Sequence, residues 1–521
     1  MRESYFYDLG GSRKESQRIA KNSRKARKDN SQKRAFCCGL HLATMTNMQK
    51  TFPLLLGPLL FAVLWGLNPF GLEIAQAKVT GVVAWMLVWW ISEAVPMAVT
   101  SLLPIMLFPL LGVLGLEKTC LAYSNRFVFL FLGGFLIALA MEKWNLHRRL
   151  ALSIVNKTGT SANTIIFGFM LASFSISMWI SNTATTLMML PIASSVVLLL
   201  VNEEQTKNAK GASHFATALM LSIAYGSSIG GIGTLVGSPP NASMAGILDK
   251  SFSCQVSFFD WMKYGFPFAL VFLLVAYWLL VRVIFPNRLG KFTLGHAIIQ
   301  AELSALGKWK REEKIVFGVF IATAILWILQ EPIAGLLKPM GIEFSDTAIA
   351  IIMGSSLFLF PSEQPRAAIL EWRDTDKLPW GVLLMFGGGM SLAAAFDSCG
   401  LVSTITHSMK DLDSSNLFLF VSVLCAIGLL ITALMSNIAM VNIFVPIVAS
   451  LAVGVGISPE VFAIPVTIAA SCDFMFPMST PPNAIAYSSG YIRSKDMLKA
   501  GVVLNFVSLL LLMGLVWLMV G

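Results

Sequence analysis

Apolar positions along this chain gather into long runs with few charges between them. Phe52–Leu67, Thr80–Ile91, Phe127–Met141, Phe259–Phe285, Ile315–Leu329 and Val502–Val520 are examples. About 20 apolar residues in a helix cross the roughly 30 Å hydrocarbon core of a bilayer. The pattern predicts about eleven spanning helices, starting near residues 52, 79, 98, 127, 214, 259, 313, 345, 379, 459 and 496. Two further apolar stretches, 163–201 and 416–455, are too long for one span each, and a Ser-Asn pair interrupts each at its middle. They read as re-entrant helical hairpins. The expected fold is an all-α polytopic membrane protein with two re-entrant hairpins.

The same pattern repeats. Phe131-Leu132-Gly133-Gly134 recurs as Phe386-Gly387-Gly388-Gly389 at an offset of 255. At that offset Ser181-Asn182 falls on Ser436-Asn437, Pro191 on Pro446, and Ser177 on Thr432. Ser238-Pro239-Pro240-Asn241-Ala242 matches Thr480-Pro481-Pro482-Asn483-Ala484 at an offset of 242, and the insertion 202–213 accounts for the 13-residue difference. Five spans separate the copies, an odd number, so they form an inverted repeat, a recurring plan of secondary transporters. The domain reading follows: a basic tail at 1–50, scaffold helices at 51–126, and first-repeat transport elements at 127–245. Scaffold helices with a cytoplasmic loop fill 246–378, second-repeat transport elements 379–490, and a last helix 491–521.

Composition agrees with a lipid solvent. The chain is 56% hydrophobic and 13% charged, against about 45–50% and about 25% in soluble domains. With the N-terminus cytoplasmic, inward loops carry 19 Lys and Arg and outward ones 7, the tail apart. This satisfies the positive-inside rule and suits a plasma (inner) membrane protein. The tail suits cytoplasmic retention or contact with anionic lipid better than nucleic-acid binding. A start at Met45 or Met48 would remove it. Seven cysteines without a CxxC spacing offer neither a disulfide framework nor a zinc site. Cys37 and Cys38 read as free cytosolic thiols.

The chemistry lies at the breaks. Backbone groups freed inside a membrane must be satisfied by protein, water or ligand. Helix N-termini attract anions and C-terminal carbonyls attract cations. Asn offers a donor and an acceptor, Ser a small hydroxyl, and Pro-Pro stops a helix from continuing and frees the carbonyls before it. One Ser-Asn pair would read as interhelical glue. Two pairs at one offset, each followed by Pro-Pro-Asn, read as a site that binds a cation and an anion together.

On Ser181-Asn182-Thr183, Gly237-Ser238-Pro239-Pro240-Asn241, Ser436-Asn437 and Ser479-Thr480-Pro481-Pro482-Asn483, the chain resembles the divalent anion/sodium symporter family over about residues 50–521. Members transport succinate, citrate or sulfate. The resemblance implies one sodium site at Ser177, Ser181, Asn182 and Gly237, and its twin at Thr432, Met435, Asn437 and Ser479. It places substrate carboxylates against Ser181, Asn182, Thr183, Ser238, Ser436, Asn437, Thr480 and Pro481. It also implies a homodimer with a scaffold and a mobile transport domain, moving in an elevator-like way. One departure stands out: the second motif reads Ser436-Asn437-Ile438, without the hydroxyl of Thr183. That bears on the choice of anion more than on sodium.

No Lys, Arg or His occurs in 158–206 or 411–492. A buried dianion there has no fixed cationic partner, and an unpaired buried charge is costly. Co-bound sodium ions supply the missing charge, so the expected function is sodium-coupled uptake of C4-dicarboxylates such as succinate. Sodium-independent dicarboxylate exchange, and sodium-coupled citrate or sulfate transport, stay open. Asp473 is either a functional intramembrane carboxylate or one paired with a nearby hydroxyl or N–H. Glu93 reads as a structural cap, and His147, Arg148 and Arg149 as a solvated inner loop. Enzyme and channel classes fit poorly. None of the five histidines accompanies the Ser-Asn motifs, no HExxH or partnered GxSxG occurs, and polar groups concentrate at one depth.

Overall fold

The computed structural model describes residues 52–204, 209–289, 293–363, 367–401, 404, 417–433 and 435–520. The basic tail, Cys37, Cys38 and the first residue of the second predicted hairpin, at 416, lie outside them. Among the described residues the chain is helical without a strand, with one isolated bridge between Pro361 and Ala368. The all-α expectation holds.

The helices are α1 (Phe52–Leu67), α2 (Ile74–Ser92), α3 (Met97–Leu110), α4 (Leu116–Tyr123) and α5 (Arg126–Lys143). Next come α6 (Leu146–Lys157), α7 (Ala162–Ser177), α8 (Asn182–Glu204), α9 (Ala209–Ile232) and α10 (Pro239–Phe252). Then α11 (Phe258–Trp278), α12 (Thr293–Ala305), α13 (Arg311–Ile328), α14 (Gln330–Leu337) and α15 (Asp346–Ser356) follow. The chain ends with α16 (Trp380–Ser398), α17 (Leu417–Thr432), α18 (Asn437–Gly454), α19 (Pro459–Ala470), α20 (Pro481–Ser488) and α21 (Ser494–Val520). By length and composition seven described helices can cross a membrane, or eight if the bent pair at 311–340 is one span. Eleven were expected from the sequence. Helices at 97–110, 346–356 and 459–470 start where expected but are too short alone. Prolines account for part of this: Pro104 and Pro109 punctuate the first, Pro465 the last.

Each predicted hairpin is broken at its Ser-Asn pair, between α7 and α8 and between α17 and α18. The two copies interlock. α9 packs on both arms of the first hairpin, and α19 on both arms of the second. The short helices cross over: α10 lies on α18, and α20 lies on α8. Burial follows this arrangement. The apolar window of α9 is 100% buried, against 28% in α21, so α9 is central and α21 peripheral. Asn145 and Gly400, 255 positions apart, both take positive φ, 57° and 73°, where the chain turns after α5 and α16. Asn and Gly tolerate that region best.

Glu93 holds the left-handed C-cap position of α2, with φ 48°. The inner-loop reading of His147 and Arg149 is corrected. Both are buried, 7% and 4% exposed. A His147 ring nitrogen donates to the Met141 carbonyl at 2.9 Å. Arg149 pairs with Glu313 at 3.1 Å and donates to the Leu306 and Gly307 carbonyls. The apolar face of α6 brings these groups inward, and a partner 164 residues away neutralises the charge.

Candidate functional site

The tip of the first hairpin is the four-residue link Met178-Trp179-Ile180-Ser181. Ser181 accepts the Ala184 N–H through its hydroxyl at 3.2 Å, the bond a helix N-cap makes. Asn182 therefore opens α8, and its side chain reaches back across the tip. Ser177 Oγ, on the last residue of α7, donates to Asn182 Oδ1 at 2.6 Å. Thr186 Oγ1 donates to the Asn182 carbonyl at 2.8 Å and lies 3.1 Å from Ser227 Oγ, tying α8 to α9.

The second hairpin repeats this construction. Ser436 accepts the Ala439 N–H at 3.3 Å. Thr432 Oγ1 donates to Asn437 Oδ1 at 3.0 Å, and it also lies 2.8 Å from the Ala470 carbonyl oxygen at the end of α19. Exchanging Ser for Thr keeps the hydroxyl, so the hydrogen bond survives the divergence of the copies.

The breaks that follow α9 and α19 also match. α9 ends at Ile232, seven residues ahead of Pro239, and the two prolines take the first two positions of α10. Pro-Pro thus starts the second helix rather than ending the first, which corrects the sequence expectation. Proline loses nothing there, because the first N–H groups of a helix have no partner anyway. Asn241 Nδ2 spans the gap, donating to the Gly231 and Thr234 carbonyls at 2.9 Å each. Asn483 Nδ2 does the same for the Asp473 and Phe476 carbonyls at 3.3 and 3.2 Å. Each Asn spends its donor on the break and keeps a buried Oδ1 without a partner.

These bonds gather the first predicted set. A Cβ placed on Gly231 would meet Asn182 Oδ1 at 2.6 Å, and one on Gly237 would stand 3.0 Å from the Met178 carbonyl oxygen. Ser177, Asn182, Gly231 and Gly237 therefore share one small polar nest beneath the tip. Ser181 is exposed beside it and Thr183 partly exposed, while Ser238 is buried at the N-cap position of α10. In the second set, Thr432 and Asn437 are joined directly and Met435 is buried at the tip. Ser479 lies in the break, where its hydroxyl donates to the Phe476 carbonyl at 2.8 Å and is 3.3 Å from Asn483 Nδ2. Thr480 caps α20 through the Asn483 N–H at 3.4 Å, and Pro481 is exposed. Ile438 is 8% exposed, whereas its counterpart Thr183 is partly open.

The sequence reading missed Thr186, Ser227, Thr234 and the bracing role of Asn241 and Asn483. Only the repetition of Asn after Pro-Pro hinted at the last two. Chemically, each nest offers uncharged oxygens and the free N–H groups of a helix start, with the buried Asp473 carboxyl beside the second. Neither hairpin carries a fixed cation: 158–206 and 411–492 hold no Lys, Arg or His. No group of three or more His, Cys, Asp or Glu that could hold a metal ion occurs among the described residues.

Residues 49–521 match the family model described as sodium:sulfate symporter transmembrane region. The sodium-dependent dicarboxylate transporter SdcS of Staphylococcus saprophyticus is 38% identical over 482 residues, covering 91% of this chain and 92% of that protein. The protein of that name from Staphylococcus aureus strain USA300 is 38% identical over 470 residues, covering 89% and 90%. Among solved structures, the Alcanivorax borkumensis YdaH transporter superposes with a TM-score of 0.52 at 16% identity, over 91% of this chain and 97% of its own. That last likeness is one of fold.

Proposed function

The chain belongs to the sodium:sulfate symporter family, whose members are transporters and not enzymes, and on that premise we propose sodium-coupled symport of C4-dicarboxylates, succinate-like, into the cell. One observation carries the reading. The bond from Ser177 to Asn182 recurs from Thr432 to Asn437, each at a broken hairpin tip without a fixed cation. A dianion held by helix N-termini alone keeps most of its charge, because each terminus supplies only about half a charge. Two sodium ions at Ser177, Ser181, Asn182 and Gly237, and at Thr432, Met435, Asn437 and Ser479, neutralise it. Ser181, Asn182, Thr183, Ser238, Ser436, Asn437, Thr480 and Pro481 then face the two carboxylates. The name of the 38%-identical relatives supports the same substrate class.

By the same reading the protein is a homodimer in the plasma membrane with its N-terminus cytoplasmic. Its interlocked repeat elements travel as one body in an elevator-type movement. The test is uptake of labelled succinate by the purified full chain in proteoliposomes, with and without an inward sodium gradient, against citrate, tartrate and sulfate. Sodium-dependent uptake blocked best by C4-dicarboxylates is expected. Sodium-independent one-for-one exchange would overturn the reading in favour of an antiporter, and stronger block by citrate or sulfate would reassign the substrate.

A further inference from the structure

The two breaks are alike in backbone and unlike in charge. In the first, Asn241 Nδ2 donates to the carbonyl of Gly231; at the matching place in the second stands Asp473. Asp473 is 0% exposed, and neither of its carboxylate oxygens has a hydrogen-bond partner. The Ser479 hydroxyl and the Met475 N–H are the neutral groups that stand near enough to interact with it. The Ser479 proton goes to the Phe476 carbonyl instead. Tyr225, also beside Asp473, spends its hydroxyl on the Phe474 carbonyl at 3.0 Å. Among the described residues no ion pair includes Asp473.

The surrounding oxygens are idle too. Ser471 Oγ and Asn483 Oδ1 are buried without partners on the same segment. At the first break Ser228 Oγ and Asn241 Oδ1 are in the same condition, so the difference between the two lies in the carboxylate. A carboxylate buried without a partner is very costly and draws in a positive charge. Uncharged oxygens around one carboxylate suit a small hard cation.

We propose that Asp473 is the anionic group of the cation site in the second repeat, with sodium as its ligand. The inference rests on the sodium-coupled reading above and adds an inequality to it. The second site takes its sodium first and holds it more tightly, because the first break has Gly231 where the second has a charge.

The experiment uses the full chain, purified in detergent and in proteoliposomes at constant pH. Binding of radioactive sodium without substrate should show two affinities in the native protein. In Asp473→Asn the tighter one should weaken by about 10-fold or more, a difference of about 1.4 kcal/mol. Asp473→Glu, which keeps the charge, should restore part of the loss. A single sodium affinity in the native protein overturns the inference whether or not the variants fold. So does a folded Asp473→Asn protein with unchanged sodium binding, or one in which only the pH dependence moves, which would make Asp473 a proton carrier. If native succinate uptake ignores sodium altogether, it is the functional reading that fails, and that result is visible before any variant is made.

Discussion

Phe131 and Phe386 occupy the same place in the two copies, 255 positions apart, and pack edge to face with ring centroids 4.9 Å apart at 83°. Both are essentially buried, 1% and 0% exposed. The repeat therefore pairs with itself where α5 meets α16. Phe131→Ala and Phe386→Ala should each lower the denaturation midpoint in detergent, at a cost of about 3–5 kcal/mol. Their double-mutant cycle should show a coupling of about 0.5–1.5 kcal/mol. Simple additivity would mean that the two rings are held by other neighbours.

The hydroxyl at Ser177 and that at Thr432 orient the Asn of their own tip. Ser177→Ala and Thr432→Ala should each raise the half-saturating sodium concentration about 2- to 10-fold, the equivalent of one hydrogen bond. Thr432→Ser keeps the hydroxyl and should come within about twofold of the native protein. Sodium titration of succinate uptake measures all three. Equal effects of Thr432→Ala and Thr432→Ser would point to the lost methyl rather than the hydroxyl.

Ile438 stands where the first copy has Thr183, and it is buried where Thr183 is partly open. Ile438→Thr restores a donor and removes apolar bulk. It should change the ratio of succinate to citrate and sulfate inhibition by roughly fivefold, about 1 kcal/mol. An unchanged ratio in competition uptake would show that this position does not select the anion.

Arg149 and Glu313 form a pair whose side chains are 5% and 3% exposed. Arg149→Ala leaves a buried carboxylate alone, which costs about 3–5 kcal/mol. Replacing both residues by apolar ones of similar volume should recover most of that loss. Thermal midpoints of the single and double variants decide the matter; a single variant as stable as the native protein would rule out the pair as a structural tie.

Burial pushes the His147 imidazole below its ordinary value, with Arg148 acting the same way and the Met141 carbonyl and Glu142 opposing. The folded protein thus keeps this ring neutral while the unfolded chain takes up a proton near pH 6.5. Stability from this residue is present above about pH 6.5 and lost as the pH falls toward the lower folded value. His147→Gln should flatten the loss of thermal midpoint across that window. Parallel curves for the two proteins would place the pH dependence elsewhere.

The repeat and the breaks at the Ser-Asn pairs were legible because each rests on short-range sequence and both copies agree; the bonds by which Ser caps the next helix and Asn reaches back five residues appear only in the structure. The places where α9 and α19 stop were not. Pro-Pro marks the restart of a helix, and the stop depends on Asn241 and Asn483 folding back seven to ten residues to collect carbonyls. The burial of Arg149 was hidden for a different reason. It follows Arg148 and a histidine, a run that resembles a solvated loop, and its partner is distant in the chain. The unpartnered state of Asp473 likewise depends on where the Ser479 and Tyr225 hydroxyls point, which only three-dimensional packing decides.

The crossover of α10 onto α18 has a consequence for how the protein is made. A gap of 184 residues separates Phe252, where α10 ends, from Asn437, where α18 begins. At about 5–20 residues per second, the ribosome needs roughly 10–40 s to deliver the partner. During that time α10, with most of its surface meant for burial, sits in the membrane without its mate. Completion of the first half of the molecule is thus timed by synthesis of the second, and a chain released early would leave α10 as a target for membrane quality control.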